Sequence, residues 1–361
     1  MRSSIKSTFI AIFFTWLILL TPAFGGDNTL DRGDLRPPKQ PAHPEPTYKI
    51  IASMDGEIYP VFANYASLQK QNERSLGVLS VTVSNKSEAA LRQRVAVKVL
   101  GWSDQEIQIV ELPAGTSRTY LFAPTFLPRF YENHEIVAAT AEVSVSEMSG
   151  SSVYESTVPV HIRSAEDIYW GDGFKYAPFI ASWVTPHDLK LEAMLGRATY
   201  YVPDHRLPGY ENWKNADQQE QETYLEARAI FMALKRLGLS YVKSSDTFGG
   251  NKSLSERVRK PRVSLVQSSA NCIDAAVMYA SLFENLGMEP TVVIVPGHAY
   301  AGVRVARGSQ RFLFIDVALT GRTTFEAAVA SAQRGLARYD ASSVTRVIIQ
   351  QARDAGIYPM P

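Results

Sequence analysis

The spacing of apolar residues changes character once along this chain, and that change limits the folds open to it. From Tyr48 to Arg163 apolar and polar residues alternate in short runs such as "LGVLSVTVSNKS", "LRQRVAVKVLGW", "HEIVAATAEVSVS" and "VYESTVPVHIR". A period of two turns one side of a strand to the core and the other to water. Asn85-Lys86-Ser87, the Pro-Ala-Gly within "IQIVELPAGTSRTYLFAP", and "EMSGSS" break the runs as turns. About six short strands, with turns roughly every 10 to 15 residues, predict an antiparallel β-sandwich of immunoglobulin-like type over 48–163. It has no inter-sheet disulfide of the kind found in antibody domains, because the chain has a single cysteine.

Beyond "SAEDIYWGDGFKYAPFIASW" apolar residues recur at three and four, and we place a domain boundary near Arg163. Thr185 as N-cap, Pro186 at the first helical position and Asp188 in the first turn open one helix, with Met194, Leu195, Ala198 and Tyr201 following at helical spacing. Tyr224, Ala227, Phe231, Leu234 and Leu237 share one face of a second, stopped by Gly238. A third helix starts at Asn271, with Ala275, Ala276, Tyr279, Phe283 and Leu286 inward and Gly287 closing it. "PTVVIVPGHAYAGVRV" then predicts strand, Pro-Gly turn and strand, and "GSQRFLFIDVAL" another turn and strand. "TTFEAAVASAQRGL" and "SSVTRVIIQQARDAG" have the look of closing helices. A helix followed by three strands joined by tight turns is an α+β layout for 164–361.

The first residues predict export. Arg2 and Lys6 precede the apolar "FIAIFFTWLILL", and Ala23 and Gly25 occupy the small-residue positions of a cleavage site, so 1–25 has the form of a signal peptide. The run is short of the ~20 apolar residues that span a bilayer, so a cleaved signal is expected rather than an anchor, with no stable membrane insertion afterwards. No cysteine follows it to carry a bacterial-type lipid anchor. Residues 26–47 are rich in Pro and charge and poor in large apolar groups, as in a flexible spacer. The expected location is extracytoplasmic, periplasmic or secreted. A net charge of +1 points to no nucleic-acid partner.

Export makes the one cysteine informative. Extracytoplasmic cysteines are commonly paired, and Cys272 has no intrachain partner. A buried cysteine acting as a small hydrophobe would be the ordinary explanation. Cys272 stands instead at a helix start, where unpaired N–H groups and partial positive charge favour thiolate. His298 begins the next strand but one, and Asp316 lies in the strand after that. If the helix packs on this sheet, His298 can accept the thiol proton while Asp316 holds the other ring nitrogen.

These residues also carry a resemblance. "NCIDAAVMYASLFENLGMEP", "GHAYAGV" and "FLFIDV" resemble the core of the transglutaminase-like superfamily, of papain-like topology. More closely, the Asn-Cys-Ile-Asp helix start, the Pro-Gly-His-Ala turn, "WVTPHD" and "RVRKPRVSL" resemble a bacterial group of transglutaminase-like proteins. The likeness covers roughly 165–335 and is specific for about 50 residues around the three polar groups. It implies a Cys272 nucleophile, a His298 base and an Asp316 orienting group, and a peptidase, amidase or acyltransferase acting on a protein or peptide. Three features depart from the superfamily pattern. Tyr300 replaces its usual Trp, Ala270 stands where glycine is frequent, and the 26 residues from Cys272 to His298 leave little room for an insertion. No catalytic group is lost, but the substrate class stays open.

For the oxyanion of a tetrahedral intermediate the candidate donors are the Cys272 backbone N–H and the side-chain amides of Gln267 and Asn271. Asp274 suits the helix dipole and is assigned a structural role. The basic run from Lys252 to Arg262 is expected to be solvated surface, with steering of an anionic substrate as the alternative. Histidines 43, 134, 161, 187 and 205 show no metal-ligand spacing, and no cofactor motif is present. Two other classes remain open: an inactive transglutaminase-like scaffold that binds a peptide or glycan, and a structural envelope protein.

Overall fold

A computed structural model describes residues 45–71, 73–211, 215–243 and 255–361. The expected signal peptide, nearly all of the spacer, His43 and Lys252 lie outside these residues. Alternation forms the first part of the fold. Leu79, Val81 and Val83 point inward from β3 (Leu79–Ser84), which pairs antiparallel with β1 (Thr47–Ala52) and β6 (Ser117–Phe122). A second sheet runs in the order β2-β8-β7-β4-β5, from β2 (Glu57–Ile58), β4 (Leu91–Val99), β5 (Glu106–Leu112), β7 (Val137–Glu147) and β8 (Ser152–Ile162). All its pairs are antiparallel except β2 with β8. The two sheets enclose one apolar cluster containing Val81, Val97, Phe122 and Val143. The turn at Asn85 closes itself: its buried amide donates to the carbonyls of Ala89, Leu112 and Pro113, and its oxygen accepts from Ser87.

Helix α1 (Pro60–Leu68) follows β2 and was not expected from the sequence. The segment from the end of β2 into α1 joins two cores: Ile58 and Ala63 belong to the cluster between the sheets, whereas Tyr59, Val61 and Phe62 belong to the one beyond Arg163. The Phe62 ring meets Phe179 edge-on at 4.9 Å. Arg163, at the expected boundary, is itself fully buried and bridges Glu57 at 3.3 Å and Asp167 at 2.9 Å. The short helix α2 (Pro128–Tyr131) completes this part.

The second part is mixed α and β. Its central sheet has the order β15-β14-β13-β16, all antiparallel, from β13 (Pro290–Val295), β14 (His298–Arg304), β15 (Phe312–Ile315) and β16 (Thr345–Ile348). Short pairs form elsewhere, β9 (Asp167–Tyr169) with β11 (Ser255–Arg257), and β10 (Ser240–Tyr241) with β12 (Ser269–Ala270). The helices are α3 (Leu189–Ala198), α4 (Ala216–Leu237), α5 (Pro261–Gln267), α6 (Cys272–Asn285), α7 (Phe325–Leu336) and α8 (Ile349–Asp354). Among the described residues no helix is long and apolar enough to cross a membrane.

Three local expectations are corrected. Asp188, not Thr185, caps α3, its carboxylate accepting the Lys190 N–H at 2.8 Å. "SSVTRVIIQQARDAG" is not one helix: its β-branched first half adds β16 to the sheet, and only the second half winds into α8. Helix α6 has no polar face, since every residue from Ile273 to Phe283 is buried. It lies across β13 and β14 with α3, α5 and the 177–183 turn around it.

Candidate active site

Residues Asn271 to Asp274 determine how the site begins. The Asn271 side-chain oxygen accepts the Asp274 N–H at 2.8 Å, and the Asp274 carboxylate accepts the Asn271 N–H at 3.2 Å. This reciprocal cap fixes the first turn of α6 and the position of Cys272 at its first residue. Asp274 is fully buried and receives the Arg259 side chain at 2.7 Å and the Arg259 N–H at 2.8 Å. Its structural role therefore exceeds a dipole preference, because it joins the chain before α5 to the start of α6.

His298 follows a two-residue turn. Val295 pairs with His298 across Pro296 and Gly297, and Gly297 has φ 75°, a backbone that an L side chain rarely adopts. The imidazole Nε2 lies 3.0 Å from Asp316 Oδ1. Asp316, just past the end of β15, accepts the Ser331 hydroxyl of α7 on its other oxygen at 2.8 Å. Tyr300, two residues along the same face of β14, meets the imidazole edge-on at 4.6 Å. Gly335 of α7 makes room for that tyrosine, since an added Cβ would collide with the Tyr300 hydroxyl.

Cys272 lines the same cavity as the imidazole and acts on its titration. With Nε2 on the carboxylate, Nδ1 is the ring nitrogen left to exchange a proton with the thiol. Burial by itself would lower the pKa of His298, but the Asp316 hydrogen bond, the interaction with Cys272 and the charges on both outweigh it and raise it to about 9. The imidazolium is thus the favoured form at neutral pH. Asp316→Asn is expected to lower the His298 titration midpoint by at least one unit, read from the imidazole NMR shifts, because it removes a charge and weakens a hydrogen bond.

All three chain-ordered residues come together, and Cys272 and His298 open onto a cavity of about 370 Å³. Asn271 also lines it, with its amide oxygen engaged as the helix cap. Gln267 does not: it is exposed at the end of α5, and its oxygen accepts from Arg259 at 2.7 Å. The Cys272 N–H stands among the first N–H groups of α6, which have no intrahelical acceptor. The basic run is solvated only in part along its described length: Arg262 is exposed, whereas Arg257 and Arg259 are largely enclosed. Arg257 pairs with Glu166, Arg259 with Asp274 and Arg262 with Asp188.

The far wall of the cavity was missed from the sequence. Trp170, Tyr241 and Glu256 line it, delivered by the short strands around 167–170, 240–241 and 255–257. The β10–β12 pairing sets Tyr241 opposite Ala270, next to the capped helix start. Burial raises the Tyr241 phenol, and the charges of Cys272, Glu256 and Asp274 raise it further. These residues lie far apart in the chain and on segments too short to show a period. Among the described residues no group of three His, Cys, Asp or Glu is placed to hold a metal ion.

No protein-family model and no curated protein matches this chain. Among solved structures it is similar over a part to the CsuC-CsuE chaperone–tip adhesion subunit pre-assembly complex from archaic chaperone-usher Csu pili of Acinetobacter baumannii. The identity is 14%, the TM-score 0.15, and the match covers 26% of this chain and 51% of that one, so this chain spans about half the length of the protein it matches.

Proposed function

We propose that the protein is a cysteine enzyme of the transglutaminase-like, papain-like type, which acts on amide bonds through a thioester at Cys272. In this reading it is exported and carries an immunoglobulin-like sandwich ahead of the catalytic part. One observation carries the enzymatic reading. A single imidazole is hydrogen-bonded to a carboxylate and lines the same open cavity as a helix-start cysteine, whose charge helps to raise its pKa.

The chemistry follows from that pairing. The Cys272 sulfur, having passed its proton to His298, adds to the amide carbonyl and forms a C–S bond. The carbonyl electron pair moves onto oxygen, and the helix-start N–H groups receive that charge. The pair returns as the C–N bond breaks, and the His298 imidazolium gives its proton to the departing amine. A thioester remains. Water or a second amine then adds to it, His298 takes the proton from the newcomer, and expulsion of the sulfur restores the starting pair. Asp316 keeps the ring oriented throughout, itself steadied by Ser331.

Acylation by p-nitrophenyl acetate tests the reading without a natural substrate. The expected result is a burst of p-nitrophenol and one acetyl group on the peptide containing Cys272, both lost in Cys272→Ala. Acetylation no faster than that of the unfolded chain would sink the proposal.

A further inference from the structure

We propose that Glu256 forms an ammonium-recognising subsite in the Cys272 cleft, so that the substrate carries a primary amine close to its reacting amide. The inference deepens the function proposed above and rests on Cys272 being the reactive group. Glu256 is the middle residue of β11, held in register opposite Ile168, and it lines the same cavity as Cys272 and His298. Trp170 lines the cavity with it and lowers the cost of its charge. Among the described residues no cation pairs with it. The neighbouring charges are otherwise committed or lie elsewhere: Arg257, next in the chain, turns to Glu166 at 2.6 Å, and Arg259 is taken by Asp274. Lys243 lines the same cavity but is exposed and forms no ion pair with Glu256.

Among the described residues this carboxylate has no ion-pair partner. Burial and the nearby charge of Asp274 make its ionised form costly and push its pKa up to about 7. An incoming ammonium supplies both the missing charge and charge-assisted hydrogen bonds, which are about twice as strong as neutral ones. A neutral group would leave the charge unmatched, and an anionic group would be repelled. An alcohol or a carboxylate in the same place gains none of this.

Three methanethiosulfonates that differ only in their charged end provide the test: 2-aminoethyl, 2-hydroxyethyl and 2-sulfonatoethyl. Each forms a mixed disulfide with Cys272 and releases methanesulfinate, and each rate is normalised to that of a small free thiol. The cationic reagent is expected to react with wild type about tenfold faster than the neutral one, and the anionic reagent slower than both. Glu256→Gln should remove most of the cationic advantage and keep the neutral rate within about twofold, whereas Glu256→Asp should retain the advantage. An unchanged preference in Glu256→Gln overturns the subsite. Failure of the enzymatic reading looks different: all three reagents would then modify wild type no faster than the unfolded chain.

Discussion

Replacing His298 by alanine is expected to slow acylation of Cys272 by about 10²–10⁴-fold, the range a positioned acid–base group supplies. The loss has two sources. The ring shares the cavity with the thiol and is the base proposed for it, so its removal takes that proton acceptor away. It also removes the positive charge that an imidazolium raised to about 9 holds beside the sulfur across the neutral range. Glutamine at this position should do no better than alanine, because an amide neither accepts the proton nor carries charge. Asp316→Asn should cost less than His298→Ala, since it leaves the base in place and only loosens its orientation. The measurement is the second-order rate constant for p-nitrophenyl acetate, with the unfolded variants as reference for intrinsic thiol reactivity. A His298→Ala rate within threefold of wild type would show that the imidazole takes no part.

Asp274→Ala is expected to destabilise the protein by about 3–5 kcal/mol, the cost of removing one partner from a buried ion pair. The carboxylate is fully buried and the Arg259 side chain is only 13% exposed, so solvent screens little of their interaction. The substitution also leaves the Arg259 and Asn271 N–H groups without their acceptor. Urea unfolding should show a lower midpoint at an unchanged slope. Asp274→Asn, which keeps an acceptor but loses the charge, should fall between wild type and alanine. Adding Arg259→Ala to Asp274→Ala should cost less than the sum of the two single changes, because the second removes a charge already stranded by the first. Equal and additive effects would mean that the two side chains act independently.

Much of this molecule is legible in its sequence where a period repeats long enough to be counted. The strands of the first part alternate over six to eleven residues, and the inward set is the buried set. Gly238 and Gly287 both take the left-handed backbone that ends a helix, at φ 84° and 69°. Helix α1 escaped because "PVFANYASL" is buried along most of its length and shows no polar face to count. The strand β16 escaped because its four residues run straight into a helix, and only the pairing with Thr291–Ile294 separates them. At the site, Cys272, His298 and Asp316 could be found because each sits at the end of a legible element. Trp170, Tyr241 and Glu256 could not, since strands of two or three residues are set by distant partners rather than by local propensity. The basic run misled for the same reason: Glu166 and Asp188, which match Arg257 and Arg262, lie far up the chain.

The enclosure of α6 has a consequence for how this protein could change over time. A helix walled in along eleven consecutive residues tolerates little substitution, so the nucleophile and its support form an inheritance that is hard to edit. The opposite side of the cleft rests on brief pairings of two or three residues between distant segments, and Tyr241, Lys243 and Phe174 there face solvent. Selection can rewrite that margin residue by residue at small cost to folding. Descendants of this chain should therefore diverge in what they grasp long before they diverge in how they react.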